Sequence, residues 1–137
     1  MRASFARQAF MATLGARLAG VRPGEVAIEI PFRADLTQQH GFLHAGVVTA
    51  VVDSACGYAA LSLMPPGAAV LSVEFKVNLL APAAGTHFQA VGRVLRAGRM
   101  LTVCAGEARA EREGGSALVA VMQATMMAVH DRAGLAD

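Results

Sequence analysis

The chain is poor in the residues that mark several common protein classes. Aromatic residues make up 5% of its 137 positions and the net charge is only +2. No stretch interleaves basic with aromatic side chains, so nucleic-acid binding lacks both its electrostatic footprint and its stacking platforms. Cysteine is limited to Cys56 and Cys104. Both sit among apolar neighbours, which argues against a disulfide framework and for buried thiols in a reducing, cytoplasmic setting. Neither lies at a metal-ligand spacing. Repeats, linkers and low-complexity segments are missing, and a chain of 137 residues fits one domain, 1–137, with one core.

Acidic residues are absent from the first 24 positions, which carry four arginines. That bias suits an organellar presequence. However, Phe10, Leu14 and Leu18 recur at i, i+4 and i+8 and the segment runs straight into a strand, so an amphipathic N-terminal helix is the better reading. Arg7, Gln8 and Arg17 break up any secretory apolar core. No Lys or Arg lies between Arg33 and Lys76. A membrane span through that stretch has no close basic anchors and carries Asp53 in its middle, at a cost of about 2.5–3.5 kcal/mol. A membrane partner is not expected.

What fills the stretch without Lys or Arg is the most informative part of the chain. Gln38 to Leu63 is a long apolar run that opens on a His- and Gly-bearing turn and suits a helix of about five turns. Both of its faces are apolar, so the helix should be buried on nearly all sides. On a helical wheel, the residues nearest Asp53 are Gly46, Thr49, Ala50, Cys56, Gly57 and Ala60, all small. The opposite face carries Val48, Val51, Ala55 and Tyr58. Such a stripe lets a ligand or another backbone come close. Spacing alone leaves two roles open for Asp53: catalysis in a substrate channel, or a hydrogen bond within a tight packing seam.

The remaining segments read as strands. Val26, Ile28, Ile30 and Phe32 alternate after the turn at Arg22–Gly24, with Pro31 marking an edge or a bend. Asp35–Gly41 is polar and reads as a loop. Pro65-Pro66-Gly67 stops the helix. Leu71, Val73, Phe75, Val77 and Leu79 then face one way, and Ser72, Glu74, Lys76 and Asn78 the other. Strands at about Thr86–Leu95, Leu101–Glu113 and Ala117–Val129 follow, and their short connections imply antiparallel neighbours. The plan is helix, strand, helix, four strands. One long apolar helix is buried in such a chain only if the sheet curls around it.

Three segments at these separations carry a family resemblance: Gln38-Gln39-His40-Gly41-Phe42-Leu43-His44-Ala45-Gly46, then Asp53-Ser54-Ala55, then Ser72-Val73-Glu74-Phe75-Lys76-Val77-Asn78-Leu79-Leu80-Ala81-Pro82. From about Leu14 to Val129 the chain resembles the hotdog-fold thioesterases, and within them the PaaI-like, phenylacetyl-CoA type of acyl-CoA thioesterase. The resemblance implies an α+β fold in which a curled antiparallel sheet wraps one long central helix, with an additional N-terminal helix. It implies hydrolysis of an acyl-CoA thioester, with an aromatic or medium-chain acyl group, to a free acid and coenzyme A. No cofactor is implied beyond the coenzyme A of the substrate.

Residue by residue, Asp53 matches the helix carboxylate that acts as general base or nucleophile. His44 and Ala45 match a His-Gly pair at the helix start, where the backbone N–H at the Ala45 position polarises the thioester carbonyl. Gln38 matches a polar side chain, often Asn, that positions substrate or water, and Ser72 matches a Ser or Thr near the acid. Ala45 departs from the usual Gly, but an N–H donor needs no particular side chain. Gln38 reaches further than Asn. Substrate contacts are assigned to His40 and Val73 within the matching motifs and to Gly46 and Thr49 on the small stripe. Arg96 and Arg99, which cluster with Arg93 at a strand turn, are assigned to the coenzyme A phosphates. Thioester hydrolysis needs an activated nucleophile and donors for the developing oxyanion, and a helix N-terminus supplies such donors.

His40 and His44 are also spaced i, i+4. Gly41 breaks the helix that a metal site at that spacing requires, and no third ligand is evident, so no metal is expected. His87 and His130 read as surface residues. Ala45 and Asp53 lie roughly 12 Å apart along a helix at about 1.5 Å per residue, too far for one carbonyl to meet both. A homodimer with shared sites follows, and the resemblance implies a homotetramer of two such dimers. The rival readings are a non-catalytic acyl-CoA-binding or sensor protein of the same fold, which has no need of a buried carboxylate, and a hydratase, which requires a His–acid pair not found within one segment.

Overall fold

The computed structural model describes residues 1–130, so the last seven positions of the expected domain span lie outside the described residues. The N-terminal segment forms two short helices, α1 (Arg2–Arg7) and α2 (Ala9–Thr13), hinged at Gln8, whose backbone is extended (φ −79°, ψ 93°). The single helix expected to reach Leu18 is therefore corrected. Gly15 adopts φ 67°, and the N–H groups of Gly15 and Ala16 return to the carbonyls of Ala12 and Met11 at 3.0 and 2.9 Å. This left-handed glycine cap terminates α2. Leu18 lies instead in β1 (Arg17–Arg22), a strand the sequence pattern did not reveal. Met11 and Leu14 are buried while Phe10 is exposed.

In β2 (Glu25–Pro31), Val26, Ile28 and Ile30 are buried, as their alternation requires. Pro31 has no N–H to continue the ladder, and Phe32 falls beyond the strand, partly exposed. The connection that follows contains one 3₁₀ turn, Ala34–Leu36, and a tight turn in which the Gln38 N–H donates to the Phe42 carbonyl at 2.9 Å. Helix α3 (Ala45–Leu61) comes next, then β3 (Ala69–Leu79), β4 (His87–Ala97), β5 (Leu101–Arg112) and β6 (Gly115–Val129).

The six strands form one sheet in the order β1-β2-β4-β5-β6-β3, antiparallel throughout. Helix α3 lies against β2, β3, β4, β5 and β6. Two glycines allow that approach. Gly92 and Gly106 are cross-strand partners. A Cβ on Gly92 would sit 2.4 Å from the backbone of Ala55 and Cys56, and one on Gly106 would sit 2.4 Å from the Val52 side chain. The sheet meets the helix where its strands carry no side chains, and Val51, Val52, Ala55, Cys56 and Ala59 are buried there. This is the hotdog arrangement: a curled sheet around one long helix.

Two expectations about burial are corrected. Helix α3 is not covered on all sides. Gly46 is exposed and Thr49, Ala50, Asp53 and Gly57 are half-buried, whereas Cys56 and Ala60 face the core. The apolar alternation of β3 is not one continuous buried face either. Its pairing with β6 slips between Ser72 and Glu74, so a bulge at Val73 reverses the alternation. Ser72, before the bulge, faces α3, and Phe75 and Val77, after it, do the same. As an edge strand, β3 leaves Leu71, Val73, Phe75 and Leu79 exposed. Among the described residues, no helix is long and apolar enough to cross a membrane.

Candidate active site

Asp53 sits at mid-helix on the open stripe of α3. Its Oδ1 accepts a hydrogen bond from the Ser72 hydroxyl at 2.7 Å, which leaves Oδ2 for another donor. The Ser72 Oγ also lies 3.5 Å from the Met126 sulfur, but its single proton favours the carboxylate. The β3 bulge makes this pairing possible, since strict alternation would have turned Ser72 and the aromatic ring of Phe75 to opposite faces.

Two cavities meet at Asp53. One, of about 290 Å³, is walled by Ser4, Arg7, Tyr58, Val70 and Ser72. The other, of about 480 Å³, is more apolar and is walled by Phe10, Met11, Gly46, Thr49, Ala50 and Phe75. The small residues of the stripe leave the room for it. Burial, with smaller contributions from Cys104 and Asp53, pushes the Cys56 thiol well up, and Cys104 is pushed up to about 11 by burial. Neither thiol is a nucleophile at neutral pH; the Cys104 thiol instead donates to the Cys56 carbonyl at 3.6 Å.

The helix start forms a third cavity, of about 470 Å³, walled by Gln38, Phe42, Ala45, Val48, Leu79 and Pro82 among others. His44 caps the helix: its Nδ1 accepts from the Gly46 N–H at 2.9 Å, so the proton of the neutral ring is on Nε2. That bond occupies the Gly46 donor. The His44 carbonyl takes the N–H groups of Val47 and Val48. The Ala45 N–H has no acceptor among the described residues. It points from a helix N-terminus, where the aligned peptide dipoles favour negative charge. The Gln38 side chain accepts from the His40 N–H, which holds it against the turn.

The structure thus gathers the expected residues into two groups. Asp53, Ser72, Gly46 and Thr49 lie together at the mid-helix cavities, and Gln38 and Ala45 lie together at the helix start, with His44 beside them as the cap. Within one chain the groups share no cavity. His40 is exposed in the turn, and Val73 is exposed at the bulge. Arg96 and Arg99 are exposed near the β4–β5 turn and line none of these cavities. Arg93 is committed to Glu25 at 2.7 Å and to Glu107 at 3.8 Å. His40 and His44 share no helix face, because α3 begins only at Ala45. Among the described residues, no group of three or more His, Cys, Asp or Glu could hold a metal ion.

Sequence reasoning missed Ser4, Gln8, Tyr58 and the inward turn of Phe75. Ser4 and Gln8 reach the site because the N-terminal segment folds back across α3, where Ser4 meets the Tyr58 hydroxyl at 3.2 Å and Phe5 packs against the Tyr58 ring. No local spacing signals a contact made over such a sequence distance.

A curled sheet around one helix, a mid-helix carboxylate and an unpaired N–H at the helix start together define the hotdog class of proteins. The thioesterase superfamily model matches residues 40–117, and the chain belongs to that family. A thioesterase family protein from Silicibacter pomeroyi is 55% identical, with 95% of this chain and 96% of that one covered at a TM-score of 0.93. A Saccharolobus solfataricus protein with a provisional esterase name is 31% identical over 90 residues, which span 66% of this chain and 64% of the relative, less than two thirds of its length. The E. coli PaaI protein from the phenylacetic acid degradation operon has the same fold, with 21% identity, coverage of 93% and 88%, and a TM-score of 0.82.

Proposed function

We propose that this protein hydrolyses an acyl-CoA thioester to a free acid and coenzyme A, with Asp53 as the catalytic carboxylate. The observation that carries the reading is the Asp53–Ser72 pair at the junction of two cavities. Asp53 activates water or attacks the carbonyl itself, Ser72 orients the carboxylate, and the Ala45 N–H stabilises the developing oxyanion. Gln38, beside Ala45, positions the substrate. The apolar walls of the larger Asp53 cavity suit an aromatic or medium-chain acyl group. The exposed Arg96 and Arg99 meet the coenzyme A phosphates. No cofactor beyond the substrate's own coenzyme A enters this scheme.

A dimer follows from the separation of the two groups of residues. Ala45 of one protomer completes the site at Asp53 of its partner, and a two-fold axis makes two such sites. The apolar edge of β3, exposed in the single chain, supports burial between protomers, and two dimers form a tetramer. Buried reduced thiols fit a cytoplasmic location.

The test is hydrolysis across a panel of aromatic and medium-chain acyl-CoAs, followed by release of the free thiol. Wild type turns over at least one class, and Asp53→Asn, which keeps the side chain's size, loses on the order of a hundredfold or more in rate. Tight binding without hydrolysis of any thioester would establish the non-catalytic binding protein instead.

A further inference from the structure

The two open edges of the sheet differ. Strand β1 is six residues long with an arginine at each end, and its register slips between Leu18 and Gly20. Short length, charge and irregularity are the usual defences of an edge against further pairing. Strand β3 runs for 11 residues with Leu71, Val73, Phe75 and Leu79 exposed, and Glu74 and Lys76 are its charged residues. The Leu80 N–H donates to the Val119 carbonyl of β6 at 2.8 Å. Backbone groups along a strand turn alternately to its two sides. Asn78 and Lys76 therefore also turn to β6, while Phe75, Val77 and Leu79 present their N–H and C=O groups at the open edge. Helix α3 adds an independent constraint. If Ala45 of one protomer meets Asp53 of its partner, the two-fold axis relating antiparallel α3 helices passes level with Thr49, midway between them. Of the β3 residues, Phe75 is the one that lines the cavity walled by Thr49.

We propose that a second copy of this chain pairs along β3, antiparallel, with Phe75 opposite the partner's Phe75 on the two-fold axis and Glu74 opposite the partner's Lys76 on either side of it. This rests on the proposed dimer with shared sites and adds the register that builds them. Directly opposite residues of an antiparallel pair share a face of the sheet, so the register moves only in steps that keep Phe75 and Val77 toward α3. One step to either side sets Glu74 against the partner's Glu74, or Lys76 against the partner's Lys76, and like charges directly opposite destabilise a pair. The register centred on Phe75 makes two pairs of opposite charge by symmetry. Both side chains are available for them. Glu74 and Lys76 are exposed on the face away from α3. Glu74 accepts only the Thr125 hydroxyl, at 3.2 Å, and Lys76 has no carboxylate within salt-bridge distance among the described residues. On the inner face the two Phe75 rings meet beside the small stripes of the two α3 helices. One axis thus serves both the strand edge and the site, since the position that pairs the charges is also the one that sets Ala45 against the partner's Asp53.

The test uses the full chain and single substitutions along β3. A residue on the axis faces its own copy, so Phe75→Cys is expected to give a disulfide-linked dimer on mild oxidation, read on a denaturing gel without reductant. Glu74→Cys and Lys76→Cys each lie one strand step from the axis, which sets the two copies of the substituted residue about 8 Å apart, beyond the ~7 Å that a disulfide spans. Val77→Cys lies further out. All three are expected to stay unlinked, and the buried Cys56 and Cys104 add no background. The second arm reads the charges. Glu74→Lys alone and Lys76→Glu alone each place like charges opposite one another in a homodimer, whereas a mixed dimer of the two restores both pairs. Mixed under subunit exchange and read by native mass spectrometry, about nine in ten dimers should be mixed, against the half that chance gives. Linkage at a position other than Phe75, or at none of the four in a chain that sediments as a dimer, overturns the register and leaves the dimer standing. A chance proportion of mixed dimers overturns the charge pairs. A wild-type chain that sediments as a monomer defeats the shared-site dimer itself and the register with it, an outcome distinct from the other two.

Discussion

Ala45→Pro is a substitution that removes one hydrogen-bond donor and little else. Ala45 is the first residue of α3, the position where proline is best tolerated because its N–H has no intrahelical partner. The residue before a proline is pushed to extended backbone, and His44 is already there, at φ −62° and ψ 137°. The His44 cap on Gly46 is untouched. The change in folding stability should stay under about 1 kcal/mol. Removing one oxyanion donor costs about 3–4 kcal/mol of transition-state stabilisation, or roughly a hundred- to a thousandfold in kcat. The assay is steady-state acyl-CoA hydrolysis beside thermal unfolding, with Ala45→Gly, which keeps the N–H, as the near-silent control. The same variant tests the shared site. Mixed with Asp53→Asn under subunit exchange, about half of the dimers are mixed, and each holds one intact site. Close to a quarter of wild-type activity should return from two inactive proteins. A folded Ala45→Pro enzyme at full activity would refute the oxyanion role. No recovery on mixing, with exchange shown independently, would mean that each site is built within a single chain.

Three further outcomes are expected. Gly92→Ala drives a Cβ to 2.4 Å from the α3 backbone, which cannot yield as a side chain can. It should cost about 3 kcal/mol, or roughly 10 °C in Tm, whereas Gly20→Ala, whose Cβ would meet Ala27 at an ordinary 3.7 Å, should unfold near wild type. Arg96→Ala and Arg99→Ala should raise KM for acyl-CoA more than they lower kcat, the pattern of lost uniform binding, and should leave a short thioester without the nucleotide unaffected; equal effects on both substrates would remove the phosphate role. Raising a thiol pKa lowers the thiolate fraction at a given pH. With Cys104 pushed up to about 11 and Cys56 also raised, iodoacetamide at about pH 8 should label neither in the native protein and both after denaturation, where the pKa returns to about 8.5.

The PaaI-like resemblance, the central helix, the acid in its middle and the three consecutive C-terminal strands were all legible in the chain. They are local matters: an apolar run closed by Pro65-Pro66-Gly67, period-2 alternation, and turns with Gly. Of the small residues around Asp53, Gly46, Thr49, Ala50 and Gly57 do mark an open stripe, whereas Cys56 and Ala60 are buried in the core, and the expectation that the run is buried nearly all round does not hold. Whether a helix face is covered depends on how far the sheet curls. The N-terminal helix was extended to Leu18 because Phe10, Leu14 and Leu18 keep helical spacing. The glycine cap at Gly15, a matter of backbone conformation and not of hydropathy, overrode it and released β1.

Tertiary structure decided the rest of the site. In sequence, Ser72 belongs to the polar face of a regular strand, and only the slip against β6 turns it to Asp53. Gln8 carries no signal in any window, since nothing local tells that α1 and α2 fold back over α3. Composition and spacing determine which segments form helix or strand and which chemical groups the chain owns, because propensity and periodicity act over a few residues. Which groups face one another, and which buried oxygen is left without a donor, depends on pairing register and chain reversal, which act between residues far apart in sequence.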